Sequence, residues 1–488
     1  LFPMPGGGYG ITAVRINEDG SADEESRGKA LLFTTPDFIQ FKELGLLSLY
    51  ADTDVDSVRC RYDPVEKRYR IVWVDTCGTH HFNTAKDICG LSTQPAESTD
   101  YGIENAPPGT APEGAVMGNT VAISGNLCDR IALYWNKLTC TKLCVPERIC
   151  AESAADLEAV QATAVYSDGS TTQKPIIWAT GELDLTKPGT YRIRGTVQNE
   201  TYNFPLARGY GDPVLFSWEG HSYFISTNDN ENDIGLYVRE ADNTAGLFHE
   251  KTRQQLILDK DESRGLVQTF WAPEFHVIGD ALYILFAVSG KQWGPQCHVM
   301  KLKKGGRITD PGSWENPVRV RRKDGGWLAE DGITLDMTYL NTAGRSYMIW
   351  SYRRNIGTQL DTGSMLYIAA VDPSTPWCLT SEPVLLSRPL YGWENVNHTI
   401  NNEGPCAFQA NDRIYLTYSG GSSDSFTYAL GLLTADAGAD LLDKTVWKKR
   451  VTPVLSYYSV PGEYGPGHNS FFTDERGNLM MTYHAEEA

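Results

Sequence analysis

From residue 206 onward one pattern returns five times: a strand, a tight turn and a second strand rich in aromatics. The segments are "DPVLFSWEGHSYFIST", "EFHVIGDALYILFAVS", "LDMTYLNTAGRSYMIWSY", "EGPCAFQANDRIYLTYSGG" and "HNSFFTDERGNLMMTYHA". Their turns carry Gly, Asn or Asp, the residues that short hairpins demand. At the head of each stands an ionisable residue, in turn Asp212, Glu274, Asp336, Glu403 and His468, at intervals of 62 to 67 residues. A period that long, built of strands alone, predicts radial repetition, the blades of a β-propeller. Strand-like runs such as "IGLYVRE", "HVMKLKK", "SMLYIAAVD" and "YALGLLTA" supply a third strand to four of them. Equivalent positions in successive blades surround one axis, so the five groups are expected to converge on one small space. Carboxylates crowded there repel one another, and one of them then holds its proton near neutral pH.

The last repeat reaches "LMMTYHAEEA" without a third strand. An open sheet edge is an aggregation hazard. The region before residue 150, or a partner segment, is therefore expected to cover it; a gene that continues beyond Ala488 is the simpler alternative.

The chain has 488 residues and a formal net charge of −18. Phosphate binding needs a basic face, so that charge disfavours nucleic acid as a partner. It suits a neutral substrate. No apolar run approaches the length of a membrane-spanning helix. No signal peptide is visible, and the compartment stays open, with secreted or cell-surface favoured over cytoplasmic.

Seven of the ten cysteines fall in the first 150 residues: Cys60, Cys77, Cys89, Cys128, Cys140, Cys144 and Cys150. An odd number rules out a fully paired local disulfide framework. The spacing from Cys128 to Cys150 contains no C-x-x-C, so buried free thiols are expected rather than a metal knuckle.

The remaining sequence divides into two regions. Residues 1–149 read as a β-rich accessory region, with "GYGITAVRI", "KALLFTT" and "YRIVWVD" as strands and "TTPDFIQFKELG" resembling the outer part of a blade. A partial propeller is one reading of it. The stretch "GIENAPPGTAPEGA" reads as a loop or linker. Residues 150–205 resemble a small bacterial immunoglobulin-like module. Two strands flank an Asp168-Gly169 turn. In "KPGTYRIRGTV", Tyr191, Ile193 and Val197 alternate with Arg192, Arg194 and Thr196 as on a half-buried strand.

Within 206–488 five short motifs stand in order at blade spacing: "GDPVLF", "WAPEFH", "ITLDMTYL", "NNEGPCAF" and "GPGHNSFF". Together they resemble glycoside hydrolase family 43, whose members are five-bladed propellers and invert configuration. The resemblance implies that Asp212 is the general base that activates water and Glu403 the general acid. Asp336 would raise the pKa of Glu403 and orient it. An inverting pair stands roughly 6.5–9.5 Å apart to admit water. His468 matches a position beside a central water or metal, commonly calcium. No cofactor is implied as required, and a structural calcium at the propeller axis, met by His468 through a water, is a candidate. Imidazole is a poor ligand for so hard a cation.

Among the substrate-binding candidates, Trp271 would wall the sugar ring, and Glu274 would bond hydroxyls or brace its blade. Arg353 or Arg354 would reach a hydroxyl, and Trp293, Trp393 and Tyr464 sit in loops where aromatics stack on sugars or cap the blades. The implied activity is release of pentose, with α-L-arabinofuranose favoured and β-D-xylose as rival, from arabinose- or xylose-containing glycans. Exo action is favoured, although endo action stays open. A non-catalytic glycan-binding propeller is the alternative from another class.

Overall fold

The computed structural model describes residues 1–17, 19–96, 121–135, 139–167, 169–181, 183–184, 186–197, 204–396, 399–475 and 477–487. The "GIENAPPGTAPEGA" stretch and Asp168 lie outside the described residues. The chain separates into two compact units, Leu1–Trp135 and Asn136–Ala488.

In the first unit two antiparallel meanders follow one another. One runs through Phe2–Pro3, Tyr9–Ala13, Lys29–Thr35 and Lys42–Ser48, the other through Val55–Asp63, Arg68–Asp75, His80–Ala85 and Gln94–Pro95. Alternation sets the buried face. Along Arg68–Asp75 every second residue is buried, which puts Tyr69, Ile71 and Trp73 into a core with Phe2, Leu32 and Leu47. Helix Gly125–Trp135 closes the unit. Arg130 pairs with Asp37 at 3.1 Å, and the Trp135 indole N–H donates to the Phe38 carbonyl at 2.8 Å. No helix is expected there from a reading organised around the cysteines. Its signal is the helical spacing of Leu127, Ile131 and Tyr134.

All ten cysteines are free, but only Cys60 and Cys297 are fully buried. Cys77, Cys89, Cys128, Cys140 and Cys150 are exposed. The expectation of burial therefore fails for most of them, because they sit on turns, a helix surface and an edge strand rather than on core-facing positions.

The second unit opens with a sheet ordered Gly195–Val197, Thr171–Trp178, Gln161–Tyr166, Cys140–Cys144. Its edge strand thus comes from before residue 150. The long alternating strand expected through Tyr191 shrinks to Gly195–Val197. Tyr191 is largely exposed, and its hydroxyl bonds the Asp184 and Lys187 carbonyls instead.

Five further sheets follow. Blade 1 is Tyr210–Trp218, His221–Asn228, Leu236–Ala241 and Gln255–Leu258. Blade 2 is Gln268–Ile278, Ala281–Ser289, Gln296–Lys301 and Val318–Arg319. Blade 3 is Ile333–Thr342, Arg345–Arg353, Met365–Ala370 and Val384–Ser387. Blade 4 is Asn402–Ala410, Arg413–Gly420, Ala429–Asp436 and Lys448–Lys449. Blade 5 is Glu463–Thr473 and Leu479–Glu487. Each is an antiparallel meander in chain order. The first strand of each blade lies against that of the next, and the fifth lies against the first. Ser470 and Thr482 of blade 5 donate to the Pro213 carbonyl of blade 1 at 2.8 and 3.0 Å.

Apolar residues between the blades form their core. Val214, Ile225 and Val238 of blade 1 pack with Phe275, Leu282 and Phe286 of blade 2, and Leu285 and Val299 of blade 2 pack with Met337, Met348 and Trp350 of blade 3. These strands are buried on both faces, which is why they read as near-continuous apolar runs. Among the described residues blade 5 consists of its own two strands, with no third strand paired to either.

Candidate active site

Every first strand carries the same irregularity. Pairing with the second strand skips residues 212–213, 272–273, 336–337, 404–405 and 468–469. The first skipped residue has positive φ in all five blades: Asp212 (51°), Ala272 (45°), Asp336 (55°), Gly404 (55°) and His468 (42°). A bulge bends the strand and re-aims its side chain. Left-handed backbone at Asp, Ala and His is costly and persists only where the surrounding fold enforces it. The true five-fold equivalence is therefore the bulge. Glu403 precedes it by one residue and Glu274 follows it by two, so the ionisable groups do not occupy one repeated position.

Three of these bulges gather the acidic cluster. His468 Nδ1 lies 2.9 Å from Asp212 Oδ1. Thr227 of the second strand donates to Asp212 Oδ2 at 2.5 Å and accepts the Ala272 N–H at 2.9 Å. Asp336 is buried, and its Oδ2 accepts both the Ser351 hydroxyl and the Gly404 N–H at 3.0 Å. Glu403 Oε1 accepts the Tyr428 hydroxyl at 3.0 Å.

Their electrostatics diverge. Burial pushes Asp212 up, but the positive charge and the ring bond of His468 prevail, with His484 adding to them, and hold it well below the usual carboxylate range. Burial would depress His468; the charge of Asp212 outweighs it and lifts the imidazole to about 10. Burial raises Asp336 to about 6, with Asp212 adding to it and His468 opposing. Burial raises Glu403 to about 8, and the charge of Asp336 adds to the rise. Near neutral pH the cluster thus holds an ionised Asp212, a protonated His468 and a protonated Glu403. One acid and one base in a shared space are what acid–base cleavage of an acetal requires.

Residues 202–488 match the model of glycosyl hydrolases family 43. The chain belongs to that family. Residues 160–200 match the bacterial Ig-like domain (group 4). The chain is 31% identical over 288 residues to an extracellular exo-α-(1→5)-L-arabinofuranosidase of Streptomyces chartreusis, covering 59% of this chain and 83% of that protein. It is 30% identical over 291 residues to α-L-arabinofuranosidase B of Pyricularia oryzae, covering 59% of this chain and 56% of that protein. Among solved structures it resembles an α-L-arabinofuranosidase from Lactobacillus brevis at 29% identity and a TM-score of 0.51, over 59% of this chain and 86% of that one.

Within the family 43 domain the other sequence candidates scatter. Trp271 precedes the blade 2 bulge, and its indole N–H donates to Asp233 Oδ2 at 2.9 Å, which fixes the ring. Glu274 is buried and bonds His276 Nε2 at 2.6 Å. Its charge still reaches His468. Arg353 forks onto Asp361 at 2.9 and 2.8 Å, and the charge of Glu403 acts on it. Arg354 is exposed. Trp393 is buried with its N–H on the Val451 carbonyl, as a cap. Trp293 packs on Gly265 and Gly290 with Arg319 over its ring at 5.3 Å. Tyr464 lies at the start of the blade 5 inner strand.

Sequence reasoning missed the supporting residues Thr227, Ser351, Ser419, Tyr428 and His484. His484 accepts the Asp212 N–H on Nδ1 at 3.2 Å and stacks on Tyr428 with centroids 5.4 Å apart. Thr227, Ser351, Ser419 and His484 are ordinary strand residues, Tyr428 directly precedes a strand, and no spacing marks any of them.

Catalysis by paired carboxylates requires no cofactor. Among the described residues no group of three or more His, Cys, Asp or Glu side chains could hold a metal ion. His468 spends Nδ1 on Asp212, which leaves Nε2 to face a water of the calcium expected at the axis.

Proposed function

We propose that this enzyme is an inverting, exo-acting α-L-arabinofuranosidase. In this reading Glu403 protonates the departing glycosidic oxygen. Asp212 takes a proton from a water that attacks the anomeric carbon from the opposite face. Asp336 keeps Glu403 protonated by its charge and fixes the neighbouring Gly404 backbone. The observation that carries the reading is the gathering of Asp212, Asp336, Glu403 and His468 through linked hydrogen bonds, which sets Asp212 low and Glu403 high.

The sugar preference draws support from the relatives, which are named arabinofuranosidases, one of them exo and extracellular. By the same likeness the protein acts outside the cell on arabinose-containing glycans. Trp271, held by Asp233, would offer its face to the sugar, and Arg353 would lie near the acid.

The test is product analysis. Incubation with 4-nitrophenyl α-L-arabinofuranoside and 4-nitrophenyl β-D-xyloside should release nitrophenol from the first at least about tenfold faster. Linear α-1,5-arabino-oligosaccharides should yield arabinose as the first and only small product. Faster xyloside cleavage, or early release of di- and trisaccharides, contradicts the assignment.

A further inference from the structure

The acid Glu403 ends a directed chain of hydrogen bonds. His468 donates its backbone N–H to Ser419 Oγ at 2.8 Å. A backbone N–H cannot act as acceptor, so the Ser419 hydroxyl is left to donate onward. Burial raises the Tyr428 pKa, and Ser419 opposes that rise as a hydrogen-bond donor would. Tyr428 then has one hydrogen, which it gives to Glu403 Oε1 at 3.0 Å. Ser419 and Tyr428 are both fully buried. The Tyr428 ring cannot swing away: it stacks on His484 at an interplanar angle of 12° and fills the space where a Cβ on Gly467 would come within 2.1 Å.

We propose that Tyr428, set by Ser419, is the positioning residue that keeps the transferable proton of Glu403 on Oε2. An oxygen that already accepts the Tyr428 hydrogen cannot also carry the acid proton on that side without two hydrogens facing each other. The proton is therefore confined to Oε2. In the reaction the Oε2–H bond breaks, the proton passes to the glycosidic oxygen, and that oxygen keeps the electron pair of the cleaved C–O bond. The negative charge left on Glu403 is shared with Oε1, where the Tyr428 hydroxyl steadies it. The base is tied to the same chain, since His468 bonds Asp212 through its ring and Ser419 through its backbone.

This inference rests on the acid role of Glu403 proposed above. The experiment compares the wild type with Tyr428→Phe and Ser419→Ala on aryl and alkyl α-L-arabinofuranosides whose leaving groups run from 2,4-dinitrophenol to methanol. A hydrogen bond to a developing carboxylate is worth about a tenfold rate effect or more. Tyr428→Phe should lower kcat about tenfold or more on the alkyl glycoside, far less on the dinitrophenyl glycoside, and leave KM within about twofold. Ser419→Ala should move in the same direction by a smaller factor. A loss uniform across leaving groups in both soluble, folded variants, or no loss in either, overturns the inference. A wild type that cleaves none of the arabinofuranosides would instead remove the proposed function itself.

Discussion

His468 Nδ1 sits 2.9 Å from Asp212 Oδ1, and both residues occupy strained bulge positions in adjoining blades. The contact makes Asp212 a carboxylate at every working pH. Without the imidazolium, burial would raise the Asp212 pKa against only the weaker pull of His484 and the Thr227 hydroxyl. The variant His468→Gln should therefore give a kcat/KM profile whose acid limb lies at higher pH than that of the wild type. Profiles measured from pH 4 to 9 on an aryl arabinofuranoside check this. Superimposable acid sides would contradict it.

Glu403 titrates near 8 in the folded protein, against an ordinary value of 4.5. Wild-type kcat/KM should fall above pH 8 as the acid loses its proton. The same shift has a consequence for stability. Between 4.5 and about 8 the folded state keeps a proton that the unfolded chain has released, so stability declines as pH rises through that window. Glu403→Gln lacks the titration. Calorimetry should show its Tm advantage over the wild type growing between pH 4.5 and 8, to a few degrees at most. A gap constant with pH would exclude a raised Glu403.

Asp336 supports that shift, after burial, through its charge. Asp336→Asn removes the charge while keeping a similar shape. The basic limb of kcat/KM should then move to lower pH by about one unit or less, with kcat reduced on top of it. An unmoved limb would confine Asp336 to other work, such as holding the sugar.

Gly404 links the third, fourth and fifth blades. Its φ is 55°, its N–H binds Asp336, and a Cβ there would lie 3.0 Å from Cγ and Nδ1 of His468. Gly404→Ala should displace the imidazole from Asp212. Activity should fall about tenfold or more, whereas Tm should drop by only a few degrees, since the strain is local. Equal activity in the alanine variant would show that the ring has room to shift.

The fold was legible where physics repeats. Strands buried on both faces leave apolar runs, hairpin turns leave Gly and Asn, and five copies at one spacing leave a period. Asp212, Asp336 and Glu403 were legible because each stands beside a marked sequence context at a strand head. Register was not. Only the pairing shows that Ala272 and Gly404, rather than Glu274 and Glu403, share the bulge position with Asp212. Tyr428, Ser419 and His484 were hidden for a different reason. Their role comes from which hydroxyl or ring meets which across separate strands and blades, and a side chain in a strand announces nothing about its neighbour in another. The helix Gly125–Trp135 and the exposed cysteines were not legible, because cysteine spacing does not tell which face of an element meets solvent.

The central claim is a division of labour, with Glu403 as proton donor and Asp212 as the base for water. It is tested most directly by measuring kcat for Glu403→Ala and Asp212→Ala on 2,4-dinitrophenyl and methyl α-L-arabinofuranosides. The Glu403 variant should lose about 10²–10⁴-fold on the methyl glycoside and little on the dinitrophenyl one, whose leaving group needs no proton. The Asp212 variant should lose heavily on both. A Glu403 variant equally impaired on both substrates, or an Asp212 variant spared on either, would contradict the account.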